Sequence, residues 1–353
     1  MKLLHGGDWA GYQEEYGALP LDFSANLSPL GMPDGVRRAA EAAIRDSDRY
    51  PDPACRTLCA ALAEKHGVPA ENIVCGNGAA DLIEHLPQAL RPGRALLPIP
   101  TFSEYGTALE NAGCAVEHFP LRKENDFALT EELLSRIVPG LDLLLLCNPN
   151  NPTGRTAEPA LLRALLKRCG ETGTVLAVDE CFCELTEEPS VHSLTGELSS
   201  HNNLILLRAF TKSHAMAGLR LGYALCGSGE LANHIRRCMQ PWPVSVPAQA
   251  AGLAALKEEA YLERLRQLLS SERPYLAAGL GASGCRVIPS DTNFILFYHE
   301  DVKLCEKLRK KGILLRSCRN FEGLGPGWYR TAVRSRRENE LLLTALKEVL
   351  NRG

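Results

Sequence analysis

Between Glu71 and Cys226 the chain alternates short apolar runs with longer amphipathic stretches. Ile73-Val74-Cys75, Ala95 to Ile99, Leu143 to Cys147, Val175 to Val178, Leu204 to Leu207 and Leu221 to Cys226 have strand length. Ala79 to Leu90, Ser103 to Asn111 and Leu161 to Cys169 read as helices lying between them. Strands that are apolar throughout and separated by helices predict a mostly parallel sheet covered on both faces, an α/β lobe. Beyond about Gly229 the pattern changes to long helical stretches, notably Ala248 to Leu280. The run Phe294-Ile295-Leu296-Phe297 and a last helix, Asn339 to Leu350, follow, so the carboxyl-terminal part predicts a smaller α+β lobe. No internal repeat or low-complexity tract interrupts this order.

With 353 residues, 45% of them hydrophobic, the chain can bury a substantial core divided into two lobes rather than two independent domains. A formal net charge of −3 does not build the basic surface that nucleic-acid binding requires, and Arg309 to Lys311 and Arg334 to Arg337 read as solvated helix faces. No amino-terminal apolar leader and no bilayer-length apolar stretch is present, so a soluble, cytoplasmic protein with no membrane partner is expected. The 13 cysteines are an odd number without the spacing of a disulfide framework. Cys75, Cys147 and Cys226 lie in apolar segments, which predicts reduced thiols acting as small hydrophobes. Cys181-Phe182-Cys183, read with strand alternation, sets two thiols on one side, but no His or Cys pair nearby completes a metal site.

The polar punctuation carries the chemistry. Asn148-Pro149-Asn150-Asn151-Pro152-Thr153-Gly154 follows one apolar run, Asp179-Glu180 closes the next, and Thr211-Lys212 with Gly218-Leu219-Arg220 follows a third. In open α/β sheets ligands bind beyond the carboxyl ends of parallel strands, so Asn151, Asp179 and Lys212 should converge on one pocket. A lysine amine can condense with an aldehyde, and an arginine fork suits the phosphate that would anchor the same molecule. Pyridoxal 5'-phosphate satisfies both. Asp179 would pair with its ring nitrogen and keep the ring an electron sink, while Asn151 would hydrogen-bond its phenolic oxygen. Singly, Asn-Pro and Thr-Gly are turn formers, a strand-end aspartate is a cap, and a lysine is a surface charge. Their order along the chain makes the case.

That order resembles the fold-type I pyridoxal-phosphate enzymes of the aspartate and histidinol-phosphate aminotransferase superfamily. His5-Gly6-Gly7, Asp22-Phe23-Ser24-Ala25-Asn26-Leu27, Pro29-Leu30-Gly31-Met32-Pro33, Arg49-Tyr50-Pro51-Asp52 and Gly76-Asn77-Gly78 narrow the resemblance, as do Phe102-Ser103-Glu104-Tyr105-Gly106, Arg316-Ser317-Cys318 and Trp328-Tyr329-Arg330. Together they are similar to the L-threonine O-3-phosphate decarboxylases of cobalamin synthesis, from His5 to about Glu338.

The resemblance implies a large cofactor-binding lobe, residues 46–229, and a small lobe made of residues 1–45 with 230–353. It implies that Gly78, Ala79, Thr211 and Arg220 hold the cofactor phosphate and that Phe102 stacks on the ring. Tyr50 would reach into a neighbouring subunit's site, giving a homodimer with composite sites. Arg330 would bind the substrate carboxylate and Arg316 would be a second substrate arginine, with Asn26, and with His5 and Gly6 in an arm closing over a substrate phosphate. Two departures from aminotransferases stand out: Phe182 where a tyrosine usually offers a hydroxyl, and His214 where an aromatic is expected. His214 reads either as packing or as a titrating group near the site.

The implied reaction is decarboxylation of L-threonine O-3-phosphate to (R)-1-amino-2-propanol O-2-phosphate. Histidinol-phosphate aminotransferase and O-phospho-L-serine decarboxylase are the alternatives, because the arginines' geometry decides which bond at Cα stands perpendicular to the ring and breaks. A non-catalytic pyridoxal-phosphate sensor is disfavoured, since no stretch ahead of the His-Gly-Gly arm could hold a DNA-binding segment.

Overall fold

A computed structural model describes residues 5–350; the outermost residues of the expected small lobe, 1–4 and 351–353, lie outside the described residues. Helix α1 (Trp9–Tyr16), strand β1 (Leu21–Asp22), α2 (Asp34–Ala43) and α3 (Arg56–His66) lead into the alternating region. There β2 (Ile73–Gly76), α4 (Ala79–Leu90), β3 (Arg94–Ile99), α5 (Ser103–Asn111), β4 (Ala115–Pro120) and β5 (Leu143–Cys147) follow one another. Next come α6 (Pro159–Thr172), β6 (Val175–Asp179), α7 (Pro189–His192), β7 (Leu204–Ala209), α8 (Phe210–Ser213) and β8 (Gly222–Cys226).

These strands form one seven-stranded sheet in the order β2-β8-β7-β6-β5-β3-β4. All neighbours are parallel except β8, which runs antiparallel to both β7 and β2. Two apolar cores flank the sheet, because side chains alternate across its faces: Leu143, Leu145 and Ala177 belong to one, Leu144, Leu146 and Val178 to the other. Edge strand β4, absent from the apolar pattern, carries Glu117 and His118 in its middle.

The chain continues through α9 (Gly229–Cys238), α10 (Val246–Ala255) and α11 (Glu259–Ala282). The single helix expected over Ala248 to Leu280 is therefore two. Leu256, Lys257 and Glu258 turn the chain between them, and Ser245 caps α10 through the Ala248 N–H. α9 packs on α4, and α10 packs on α2 and α3, so these elements beyond residue 229 share the core of the large sheet. Strands β9 (Arg286–Val287), β10 (Phe294–Tyr298), helix α12 (Leu304–Arg309), β11 (Ile313–Leu314), β12 (Arg316–Ser317) and β13 (Trp328–Ala332) then precede α13 (Arg336–Leu350).

A four-stranded antiparallel sheet, β12-β13-β10-β9, forms the smaller layer. β1 pairs in parallel with β11, which joins the amino-terminal segment to this layer. The pairing matters for chemistry because the residues just beyond β1 include Ser24 and Asn26, which line a cavity together with residues that follow β5, β6 and β7. Among the described residues no helix is long and apolar enough to cross a membrane, and all 13 cysteines are free thiols.

Candidate active site

Cys147 of β5, Asp179 of β6 and Leu207 of β7 are in register, and β7 runs on two residues to Ala209. The loops that follow these strands therefore open at the same end of the sheet, where a cavity of about 260 Å³ lies. Asn151, Asp179, Thr211, Lys212 and Arg220 from the large lobe line it with Asn26, Arg316 and Arg330 from the smaller layer.

Asp179 lies on the cavity floor. Its Oδ1 accepts the Cys181 N–H at 2.9 Å and its Oδ2 accepts the Tyr105 hydroxyl at 2.6 Å. Cys181 and Cys183 are not on a strand; the chain turns there into a short 3₁₀ helix, and among the described residues no cluster of His, Cys, Asp or Glu could hold a metal. Lys212 sits in the one-turn helix α8 that follows β7. Burial, and next the positive charge of Arg330, pull its amine down to about 8. An appreciable fraction is therefore neutral, and nucleophilic, near neutral pH. Its Nζ is 6.0 Å from the centre of the Phe182 ring, which offers no hydrogen-bonding group.

At one end of the cavity the chain makes an anion cradle. Gly78, at φ +82, precedes α4, whose first residues Ala79 and Ala80 line the cavity. A β-carbon on Gly78 would come within 2.7 Å of Arg220 Nη2, and one on Gly222 would collide with the Ala79 nitrogen. Among the described residues Arg220 makes two long bonds, to the Ala217 and Asn77 carbonyls at 3.3 and 3.4 Å, so most of its donors remain for a ligand. Free helix-start N–H groups, the Thr211 hydroxyl and this guanidinium suit a phosphate. An amine, a buried carboxylate and this cradle together fit pyridoxal 5'-phosphate. Phe102 stands at the side, partly buried.

Strand pairing builds the opposite end. Arg316 on β12 is in register with Arg330 on β13, so both guanidinium groups come from one sheet face into the cavity. Arg330 Nη1 donates to Asn151 Oδ1 and Nη2 to the Ser24 carbonyl at 3.0 Å, while its buried Nε has no partner. Burial draws Arg330 down to about 10. Arg316 is lowered by burial too; it donates to Asn320 at 2.9 Å and lies over the Phe321 ring. Among the described residues neither arginine is paired with a carboxylate, and Asn26 Oδ1 is buried without a partner. Buried guanidinium groups without counter-ions are costly, so this end is built for an anion that arrives from outside.

His5 and Gly6 line the same end. His5 Nε2 is 3.2 Å from Glu104 Oε1, and the Gly7 N–H donates to Ser24 Oγ at 2.7 Å. A side chain on Gly6 would run into the Ser24 carbonyl, so only glycine lets the arm lie this close. Because Asn151 Oδ1 is occupied by Arg330, its amide NH₂ is the part left to donate to a phenolic oxygen.

Two residues singled out in the sequence lie elsewhere. Tyr50 is 78% exposed, stacks on Trp242 with centroids 4.3 Å apart, and does not line the cavity of its own chain. His214 is buried beneath the site, bonded to Ser213 Oγ and stacked on Tyr261, and burial lowers its pKa. Two others were given no role in the sequence: Tyr105, quoted there only within Phe102-Ser103-Glu104-Tyr105-Gly106, and the buried Glu180–Arg208 pair at 2.7 Å, whose Glu180 also accepts from Ser193 Oγ and the Leu194 N–H beside the end of β6.

Residues 20–346 match the family model described as aminotransferase class I and II. The chain is 37% identical to a threonine-phosphate decarboxylase of Salmonella typhimurium over 98% of this chain and 96% of that protein. It is 33% identical to a histidinol-phosphate aminotransferase of Moorella thermoacetica over 94% of this chain and 85% of that one. The crystal structure of the histidinol-phosphate aminotransferase from Clostridium acetobutylicum superposes with a TM-score of 0.88 at 30% identity, covering 94% of this chain and 99% of that one. The chain thus belongs to the aminotransferase class I and II family, with the α/β fold of the fold-type I pyridoxal-phosphate enzymes.

Proposed function

We propose that the protein is a pyridoxal-phosphate-dependent carboxy-lyase that converts L-threonine O-3-phosphate to (R)-1-amino-2-propanol O-2-phosphate and carbon dioxide, as part of cobalamin synthesis. The observation that carries this reading is the pair of buried arginines, Arg316 and Arg330, which have no carboxylate partner among the described residues and lie beside Lys212, in a chain alike over nearly its whole length to a threonine-phosphate decarboxylase. With Arg220 at the cofactor's phosphate, two guanidinium groups remain for the substrate, and a phosphorylated amino acid brings the two anions they suit.

A bound cofactor would supply an electron sink for the bond broken at Cα. Asp179, fixed by two donors, would hold the proton of the ring nitrogen. Lys212 Nζ would join the aldehyde carbon and, once the substrate's amine has displaced it, would deliver a proton to Cα, which an amine lowered to about 8 can do near neutral pH. Arg330, braced by Asn151 and the Ser24 carbonyl, would bind the carboxylate and so decide which bond at Cα breaks. Arg316, with Asn26, His5 and Gly6 around it, takes the phosphate. Phe182 places a ring where a tyrosine hydroxyl would otherwise compete for the phenolic oxygen, so Asn151 is the donor left there. Tyr50, exposed and stacked on Trp242, would enter the cavity of a second copy in a homodimer.

Histidinol-phosphate aminotransferase is the second reading, favoured by the close superposition with such an enzyme. Incubating the loaded protein with phosphothreonine and no keto acid separates the two. Release of carbon dioxide with an equal amount of amino-alcohol phosphate is expected; strict dependence on 2-oxoglutarate would refute the proposal. Phosphoserine in parallel reads the methyl pocket, which should discriminate only modestly.

A further inference from the structure

The geometry points to Tyr105 as a positioning residue that locks the base of the cofactor site, an inference that rests on the reading of Asp179 and Lys212 above. Tyr105 lies on the first turn of α5, one turn beyond Phe102, and is 1% exposed. Its hydroxyl donates to Asp179 Oδ2 at 2.6 Å, and its ring meets the Phe102 ring edge-on at 5.5 Å. One side chain therefore braces both the carboxylate that would meet the ring nitrogen and the aromatic that would stack on the ring.

The bond is well chosen physically. Burial, and after it the charge of Asp179, raise the Tyr105 phenol well above its usual range, so it stays a donor at every working pH. With the Cys181 N–H on Oδ1, each carboxylate oxygen of Asp179 has one fixed donor and keeps a lone pair free for a ring N–H. The phenol also draws part of the carboxylate's charge toward itself. Tyr105 thus sets both the direction of Asp179 and how much negative charge the ring nitrogen feels, which tunes the electron sink.

The test uses the loaded enzyme with Tyr105→Phe, which keeps the ring and its packing on Phe102 and removes only the donor. Two quantities are read besides turnover: the rate of cofactor loss on dilution, and the pH midpoint of the bound cofactor's visible absorbance. Cofactor loss is expected to quicken about tenfold, in line with one charge-assisted hydrogen bond. The absorbance midpoint is expected to rise, because a less neutralised Asp179 favours the protonated ring and linkage. Site-specific 3-fluorotyrosine at position 105, a stronger donor of nearly the same shape, should lower it; this arm stands even where the phenylalanine variant does not fold. In an Asp179→Asn background Tyr105→Phe should leave the midpoint unmoved, as the coupling passes through Asp179.

Unchanged midpoints in both Tyr105 variants, or an equal shift in the Asp179→Asn background, would overturn the inference while leaving the wild-type reading intact. Failure of wild-type protein to bind the cofactor through Lys212 would overturn the underlying reading, and this inference with it.

Discussion

Removing the Lys212 amine should stabilise the cofactor-free protein, and the gain should fade as the pH rises. Burial and the neighbouring Arg330 hold this amine down from 10.5 to about 8 in the fold. That difference corresponds to about 3 kcal/mol between its charged and neutral forms. The folded value lies below the unfolded one, so the folded state carries the full cost below about pH 8. The cost shrinks as pH climbs from about 8 to 10.5, where the unfolded chain still holds the proton and the folded one does not, and it is gone above that range. Lys212→Met replaces the amine with an apolar chain of similar length. Some exposure through the cavity mouth trims the expected gain toward about 2 kcal/mol at pH 7, falling to about 1 kcal/mol near pH 9.5. Urea unfolding of both apoproteins at the two pH values, with matching slopes, reads the difference. Equal gains at both pH values, or a loss of stability at pH 7, would refute the reasoning.

Gly78→Ala should leave the fold intact yet weaken cofactor binding about tenfold or more, read by cofactor titration, because the φ of +82 disfavours any β-carbon and this one would press on Arg220. Arg330→Gln should lower kcat/KM for phosphothreonine roughly 10- to 100-fold, the worth of a charge-assisted carboxylate contact, measured by initial rates. Arg208→Met should cost about 3–5 kcal/mol in denaturant unfolding, since it strands the Glu180 carboxylate in the core, whereas the double change with Glu180→Leu should recover much of it.

Much of this was legible in the sequence where one physical signal dominated. Leu143–Cys147 and Ser103–Asn111 are read to the residue, because uniform burial gives uninterrupted apolar runs and one-sided burial gives helical spacing. β4 was missed because an edge strand may keep Glu117 and His118 half-exposed, which erases the apolar run. α10 and α11 read as one helix because Leu256-Lys257-Glu258 are all helix formers; packing, not a glycine or proline, ends α10 there.

The converging of Asn151, Asp179 and Lys212 in one cavity follows from strand order alone. Contacts between distant segments do not. The Tyr105–Asp179 and Glu180–Arg208 bonds depend on which residues the sheet register brings opposite one another. The sequence left His214 open between packing and titration near the site; the structure buries it against Tyr261, outside the cavity.

The most direct measurement follows the fate of one hydrogen. Phosphothreonine carrying deuterium at Cα, turned over by the loaded enzyme, should give an amino-alcohol phosphate that keeps its deuterium, with one carbon dioxide per molecule consumed. Product or recovered substrate that has lost the label, without carbon dioxide, would mean that the arginines set the Cα–H bond upright instead, and would contradict the account.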